Sequence, residues 1–275
     1  MNVLLILTGS VATIKAFDLC KALSEQGLHV RVAATKAATH FVDCALLEQQ
    51  LRDDSYTMST AGCRNLPEKL ANRFVFTDSD EWCTWQCRSD LVLHIELSKW
   101  ADVIVVAPAS ADFLGCLASG MCPNLATSVC RACSFFKPFV IAPAMNTKMW
   151  QHPATLRCLR VIADDYPGAL GAEPVEKLLV CGDMGLGAMA SIESIVALVL
   201  QHNESRELFH EELAARRLSM QVRKWEREAG KEVGDGGACS RRYSEVLSVF
   251  GGFALGAAAT LGAAAVVAWY RRKVS

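Results

Sequence analysis

The chain has 275 residues, carries 28 basic against 29 acidic side chains, and is 52% hydrophobic. That length holds one large domain or a medium domain with appendages, and the nearly cancelling charge excludes the basic footprint of a nucleic-acid binder. Twelve cysteines scattered along so long a chain do not form a small stapled scaffold; they read most simply as reduced, buried, small hydrophobes.

The opening MNVLLILTGS has no basic n-region and only a brief apolar run, so it reads as a buried strand and not as a signal peptide. Strands are expected at 3–7, 30–35, 74–76, 102–108 and 139–143, with helical spacing between them, as at 12–26 and 147–163. Continuous apolar runs separated by helices imply a parallel sheet covered on both faces, an α/β doubly wound fold. Residues 49–70 lose the periodicity and read as an exposed excursion. Residues 201–244 are dense in mixed charge and end in a Gly-rich break, as a solvated helix and a flexible tether would. From 246 to 270 no charge occurs across 25 residues. As a helix that stretch spans about 37 Å, enough to cross a hydrocarbon core of roughly 30 Å. Arg241 and Arg242 precede it, Arg271, Arg272 and Lys273 follow it, and Trp269 with Tyr270 takes an interfacial position. The expected organisation is a domain at 1–200, a tether at 201–244 and a transmembrane anchor with its basic flank at 245–275. Such an anchor inserts after synthesis and leaves the domain facing the cytosol. Its modest hydrophobicity leans toward the mitochondrial outer membrane over the endoplasmic reticulum.

In a doubly wound sheet, ligands bind beyond the carboxyl ends of the strands where the strand order switches. The loops placed there contain Thr8-Gly9-Ser10-Val11, Thr35-Lys36-Ala37, Ser110-Ala111-Asp112 and Met145-Asn146. The first combines a Gly, a hydroxyl and a helix start, a small phosphate site or a plain strand-to-helix turn. Ser110 and Thr35 add hydroxyls, which suits one phosphate better than a pyrophosphate. Asn146 either caps the helix that follows or holds a substrate through its carboxamide. His94 is isolated and is either structural or catalytic. Cys181 lies in a segment with Gly182, Gly185 and Gly187, which makes either a mobile flap or an ordinary loop. Cys130 and Cys133 form a CxxC with no second ligand pair at zinc spacing, so they read as packing residues and no metal is expected.

Taken together, GSVATIKAFDLCKAL, FTDSDEWCTWQC, VLHIELSKWAD, ASGMCPNL, APAMNTKMW and LVCGDMGLGAMA resemble the homo-oligomeric, FMN-containing cysteine decarboxylases. Their order and spacing are similar to the phosphopantothenoylcysteine decarboxylase branch of that family. The resemblance covers about residues 1–200. It implies a six-stranded Rossmann-like fold, FMN at the strand ends, and a homotrimer with active sites between subunits. By matching motif, Gly9, Ser10 and Val11 would hold the phosphate end of FMN, with Thr35, Lys36 and Ala37 nearby. Ser110, Ala111, Asp112, Phe113, Leu114 and Met145 would line the flavin. His94 would be the catalytic base, Asn146 the substrate clamp and Cys181 a proton donor on the flap, with Leu178, Val180 and Met189 touching substrate through their backbone.

The implied reaction is the FMN-dependent decarboxylation of 4′-phosphopantothenoylcysteine to 4′-phosphopantetheine in coenzyme A biosynthesis. Oxidation at the carbon bearing sulfur gives a thioaldehyde, carbon dioxide leaves with its electrons delocalised into an enethiolate, and reduction completes the product. The chain departs from the family pattern in places. The flavin loop, usually SANTLGK, here runs Ser110-Ala111-Asp112-Phe113-Leu114-Gly115-Cys116; Pro123 stands where Asp usually precedes Asn124, and Ser98-Lys99 replaces an Arg pair. Those departures keep open a second reading, a non-catalytic relative serving as a membrane-tethered regulatory or scaffold subunit, of a phosphatase or of a hetero-oligomeric decarboxylase.

Overall fold

The computed structural model describes residues 1–54, 70, 72–134, 137–178 and 184–204, with 177, 178, 184 and 202–204 as backbone alone. Val180, Cys181, the tether beyond 204 and the apolar stretch 246–270 lie outside the described residues. Among the described residues no helix is long and apolar enough to cross a membrane.

Six parallel strands form one sheet in the order β3-β2-β1-β4-β5-β6: β1 (Asn2–Leu7), β2 (His29–Ala34), β3 (Val75–Thr77), β4 (Val103–Ala109), β5 (Phe139–Pro143) and β6 (Ala169–Gly171). β1 is central, with Val3 paired to Val30 on one side and to Val103 on the other. Every residue of β4 and β5 is buried, because helices cover both faces and leave no polar side to alternate with. On one face Val3, Leu5 and Leu7 pack with α1 (Ala16–Glu25), α2 (Cys44–Asp53) and α9 (Ile192–Glu204) through Leu19, Leu23, Leu47, Ile195 and Val199. On the other, Leu4, Ile6 and Val106 pack with α4 (Leu93–Trp100), α5 (Ala111–Ala118) and α6 (Leu125–Ala132) through Leu97, Leu117 and Val129. α3 (Asp78–Thr84) follows β3, and α7 (Thr147–Gln151) and α8 (Pro153–Asp165) follow β5. β7 (Val175–Leu178) and β8 (Met184–Ala188) pair antiparallel as a separate hairpin.

The five expected strands are present within two residues of their expected bounds. β6 and the hairpin went unseen, since three residues of ALG and a Gly-rich MGLGA carry no β-branched signal. The helix expected at 12–26 starts as a 3-10 turn at Val11–Lys15 before α1. That expected at 147–163 is broken, because Pro153 at the first position of α8 has no N–H to continue a helix from α7. The excursion expected at 49–70 is narrower: α2 runs to Asp53, and Leu51 and Leu70 are both core residues. Nor are the cysteines uniformly buried. All nine described are free thiols, but Cys83, Cys87 and Cys122 are exposed.

Candidate active site

The strand order switches between β1 and β4, and a buried threonine joins the two strand ends there. Thr8 Oγ1 donates to the Pro108 carbonyl at 2.7 Å and accepts from the Ser110 N–H at 2.9 Å. The Thr8 carbonyl in turn accepts from Thr13 Oγ1 and from the Ser10 N–H, each at 2.8 Å. On the other side of β1, a Cβ built on Gly9 would stand 2.6 Å from the Ala37 Cβ, so only glycine lets the β1 and β2 loops approach this closely. The Ala144 N–H donates to the Ala109 carbonyl and draws the β5 end against β4. Four loops therefore converge on one edge.

Three hydroxyls line that edge, each accepting from the start of the helical turn behind it. Ser10 Oγ takes the Ala12 N–H at 3.4 Å, Thr35 Oγ1 the Ala38 N–H at 3.3 Å and Ser110 Oγ the Phe113 N–H at 3.3 Å. A hydroxyl that accepts keeps its own hydrogen for donation, so the set is suited to an acceptor-only group such as a phosphoryl oxygen. Lys36 and Val11 are exposed beside it. Asp112 is exposed in the first turn of α5, where a carboxylate suits the helix dipole and brings negative charge to the same edge. Burial, and then the Asp112 carboxylate, push the Cys116 thiol up from its ordinary range.

Phe113 and Leu114 face inward: both are core residues, and their N–H groups donate to Ser110 Oγ and to the Ser110 carbonyl. Of the residues expected to line the flavin, these two are thus the most deeply buried, while Ser110, Ala111, Asp112 and Met145 retain some exposure. Ala111 and Asp112 open α5, where helix geometry leaves N–H groups without intrahelical acceptors.

Asn146 caps α7, its Oδ1 accepting the Lys148 N–H at 2.8 Å. The hairpin sits directly over this loop. The Met145 N–H donates to the Gly187 carbonyl at 2.9 Å, and a Cβ on Gly187 would collide with the Met145 carbonyl oxygen. Gly187 also holds φ +151°, a conformation that glycine alone adopts readily. A Cβ on Gly185 would strike Thr147 Oγ1, a buried oxygen with no hydrogen-bond partner among the described residues. Leu178 ends β7. Met189, just past β8, is buried in the core and offers only its backbone.

His94 stands apart, in the first turn of α4, and its hydrogen bonds run to none of the loops above. Its Nδ1 lies 2.6 Å from Glu81 Oε1, and its N–H donates to Glu81 Oε2 at 3.0 Å. Glu81 lies in the FTDSDEWCTWQC segment, where nothing in the sequence marks it as a site residue. Thr8 falls within the expected strand-end loop, but its bridge to Pro108 and Ser110 is not legible there. Nothing local to either residue reveals its partner.

The sequence profile of the Flavoprotein family matches residues 1–204. The chain is 42% identical over 205 residues to phosphopantothenoylcysteine decarboxylase HAL3 of Malus domestica, covering 74% of this chain and 84% of that one. It is 42% identical over 199 residues to phosphopantothenoylcysteine decarboxylase of Mus musculus, covering 72% and 85%. Among solved structures it is similar to a cysteine-to-serine variant of PPC decarboxylase complexed with pantothenoylaminoethenethiol, at 40% identity and TM-score 0.61, covering 74% of this chain and 98% of that one. It is also similar to the FMN binding protein AtHal3, at 40% identity and TM-score 0.59, covering 74% and 97%.

Proposed function

This chain belongs to the Flavoprotein family, and from that premise we propose that it decarboxylates 4′-phosphopantothenoylcysteine to 4′-phosphopantetheine with FMN as cofactor, a step of coenzyme A biosynthesis. The observation that carries this reading is 42% identity to decarboxylases of that name across the whole sheet domain. The residues present fit the cofactor: the Ser10 and Thr35 hydroxyls, with hydrogens to donate, stand where its phosphate end would lie, the Ser110 hydroxyl stands beside them, and Thr147 Oγ1, a buried hydroxyl with no partner among the described residues, lies beside Asn146. Ser10, Thr35 and the first-turn amides of the β1 loop would hold the phosphate, and Ser110, Ala111, Asp112, Phe113, Leu114 and Met145 the ring system. Bound there, FMN supplies a reversible hydride acceptor for the carbon bearing sulfur.

The chain's own side chains do the rest. Asn146, its Oδ1 already fixed by the Lys148 N–H, would present a carboxamide to substrate. His94 would take a proton through Nε2, and Cys181 would return one to the product. The hairpin seated on Met145 would keep water from the reacting carbon. The chain is also proposed to form a homotrimer with sites completed between subunits. Val11, Ile14, Phe41 and Trp82 are large apolar side chains left 40%, 64%, 38% and 79% exposed, which supports a surface meant to be covered. The charge-free stretch 246–270, with arginines on both sides, supports a membrane anchor that leaves the domain on the cytosolic face.

The competing reading, a non-catalytic membrane-tethered scaffold, is favoured by one observation, the carboxylate of Asp112 at the flavin edge. Purified full-length protein decides between them. A yellow protein that releases carbon dioxide from 4′-phosphopantothenoylcysteine is expected. A folded, FMN-saturated preparation without turnover rejects the enzyme.

A further inference from the structure

We propose that Glu81 is the positioning residue of His94: it holds the ring by Nδ1 and the main chain by N–H, and so fixes Nε2 as the basic nitrogen. This rests on the reading of His94 as the base of the decarboxylation.

The His94 N–H belongs to the first turn of α4, which has no intrahelical acceptor to give it. Val92, at the cap position, makes no side-chain capping bond. Glu81 supplies the missing acceptor from another helix, Oε2 to the N–H at 3.0 Å, while Oε1 sits 2.6 Å from Nδ1. A carboxylate can only accept, so the proton between Glu81 and the ring stays on Nδ1, and Nε2 carries the lone pair. Among the described residues Nε2 has no hydrogen-bond partner. One carboxylate thus sets both the direction of the ring and its tautomer, the two properties a histidine base needs from its support.

α3 is itself anchored, so Glu81 does not drift. Asp80 accepts from the Thr77 N–H at 2.7 Å and pairs with Arg73 at 2.6 Å, and Asp78 accepts the Leu125 N–H of α6 at 2.9 Å. Each of the three acids on this short helix points to a different neighbour, and Glu81 is the one that meets the base. The ring is 28% exposed and the Glu81 side chain 13%, so the carboxylate is mostly shielded while the ring stays partly accessible.

Glu81→Gln separates positioning from packing, since the shape is kept and the chemistry reversed. The His94 N–H still needs an acceptor, so the Gln oxygen must face it. That turns the Gln NH₂ toward Nδ1, which must then accept, and the ring proton moves to Nε2. In the full chain labelled with ¹⁵N-histidine, neutral His94 (assigned by its loss in His94→Asn) is expected to be Nδ1-protonated. In Glu81→Gln it is expected to be Nε2-protonated. With that switch kcat should fall by about 100-fold or more, the range of a lost general base, while KM changes little and melting temperature and FMN absorbance hold. Glu81→Asp keeps an acceptor and should keep the Nδ1–H tautomer and recover part of kcat. An Nε2–H ring in the unsubstituted protein overturns the proposal, as does Glu81→Gln that keeps Nδ1–H or keeps kcat within about threefold. The tautomer is read without turnover, so a chain that proves inactive refutes the decarboxylase reading while Glu81 is still judged on its own.

Discussion

A methyl group at position 9 would have nowhere to go. The atom it meets is the Cβ of Ala37 at 2.6 Å, the whole of a short side chain that cannot swing aside, so the β1 and β2 loops must part. Gly9→Ala is therefore expected to cost about 1–3 kcal/mol, the range for overpacking, and to weaken FMN binding, because Ser10 and Thr35 sit on the two loops displaced. Urea denaturation and FMN titration read the two effects. Adding Ala37→Gly should restore both. A Gly9→Ala protein with unchanged midpoint and affinity would show that the loops yield freely. Gly187 is constrained in a different way, by φ +151° together with the Met145 carbonyl, so here the obstacle is backbone, which moves less readily than a side chain.

Between elements, Thr8 ties β1 to β4 and thereby sets where α5 begins. Its hydroxyl serves the Pro108 carbonyl and the Ser110 N–H at once, and it is 1% exposed. Thr8→Val keeps the shape but leaves the buried Pro108 carbonyl and the part-buried Ser110 N–H without that partner, and a buried group so orphaned costs roughly 1–3 kcal/mol. Loss of at least that much stability is expected in a denaturant titration, with most of it recovered in Thr8→Ser. Equal losses in Val and Ser would mean that the methyl, not the hydroxyl, matters. The hairpin follows the same logic one layer out. It is seated on the Met145–Thr147 loop by a main-chain hydrogen bond and two glycines, so its position depends on β5 having delivered that loop to the sheet edge.

For the molecule as a whole, buried thiols make the fold sensitive to alkali. Burial raises the Cys20 thiol from 9.0 to about 12, and Cys130, first by burial and then by the nearby Cys133 and Cys122, lies well above 9.0. Both stay protonated in the fold at a pH where the unfolded chain has lost those protons. For Cys20 stability is then complete below pH 9 and falls as pH rises from about 9 toward 12, by up to roughly 1 kcal/mol per unit, and Cys130 acts in the same direction. The urea midpoint should be level from pH 7 to 8 and decline steadily by pH 10.5, less steeply in Cys20→Ala. A midpoint that holds through pH 10.5 contradicts this. The proposed anchor is tested at the same scale. Ala263→Asp places a charge near the centre of 246–270, at about 2.5–3.5 kcal/mol on insertion scales, and should move protein from the carbonate-resistant pellet to the soluble fraction. An unsubstituted protein that alkaline carbonate extracts intact has no such anchor.

How much of this was legible beforehand follows from the reach of each interaction. Continuous apolar runs made the five main strands readable, since a strand buried on both faces has no polar positions to disguise it. Ser10, Ser110 and Asn146 stood out because a capping side chain bonds within two or three residues of itself. The sequence by itself thus determined five strands of the sheet, the loops at their carboxyl ends and the hydroxyls on them. It did not reveal how deeply Phe113 and Leu114 are buried, because an apolar side chain suits a ligand-lining wall and a core equally. Pairs that only the tertiary structure creates stayed hidden as well: Glu81 meets His94 across 13 residues and Thr8 meets Ser110 across 102. No local pattern carries such a pairing. It exists only once the strand order places β4 beside β1, and once α3 is anchored over the start of α4.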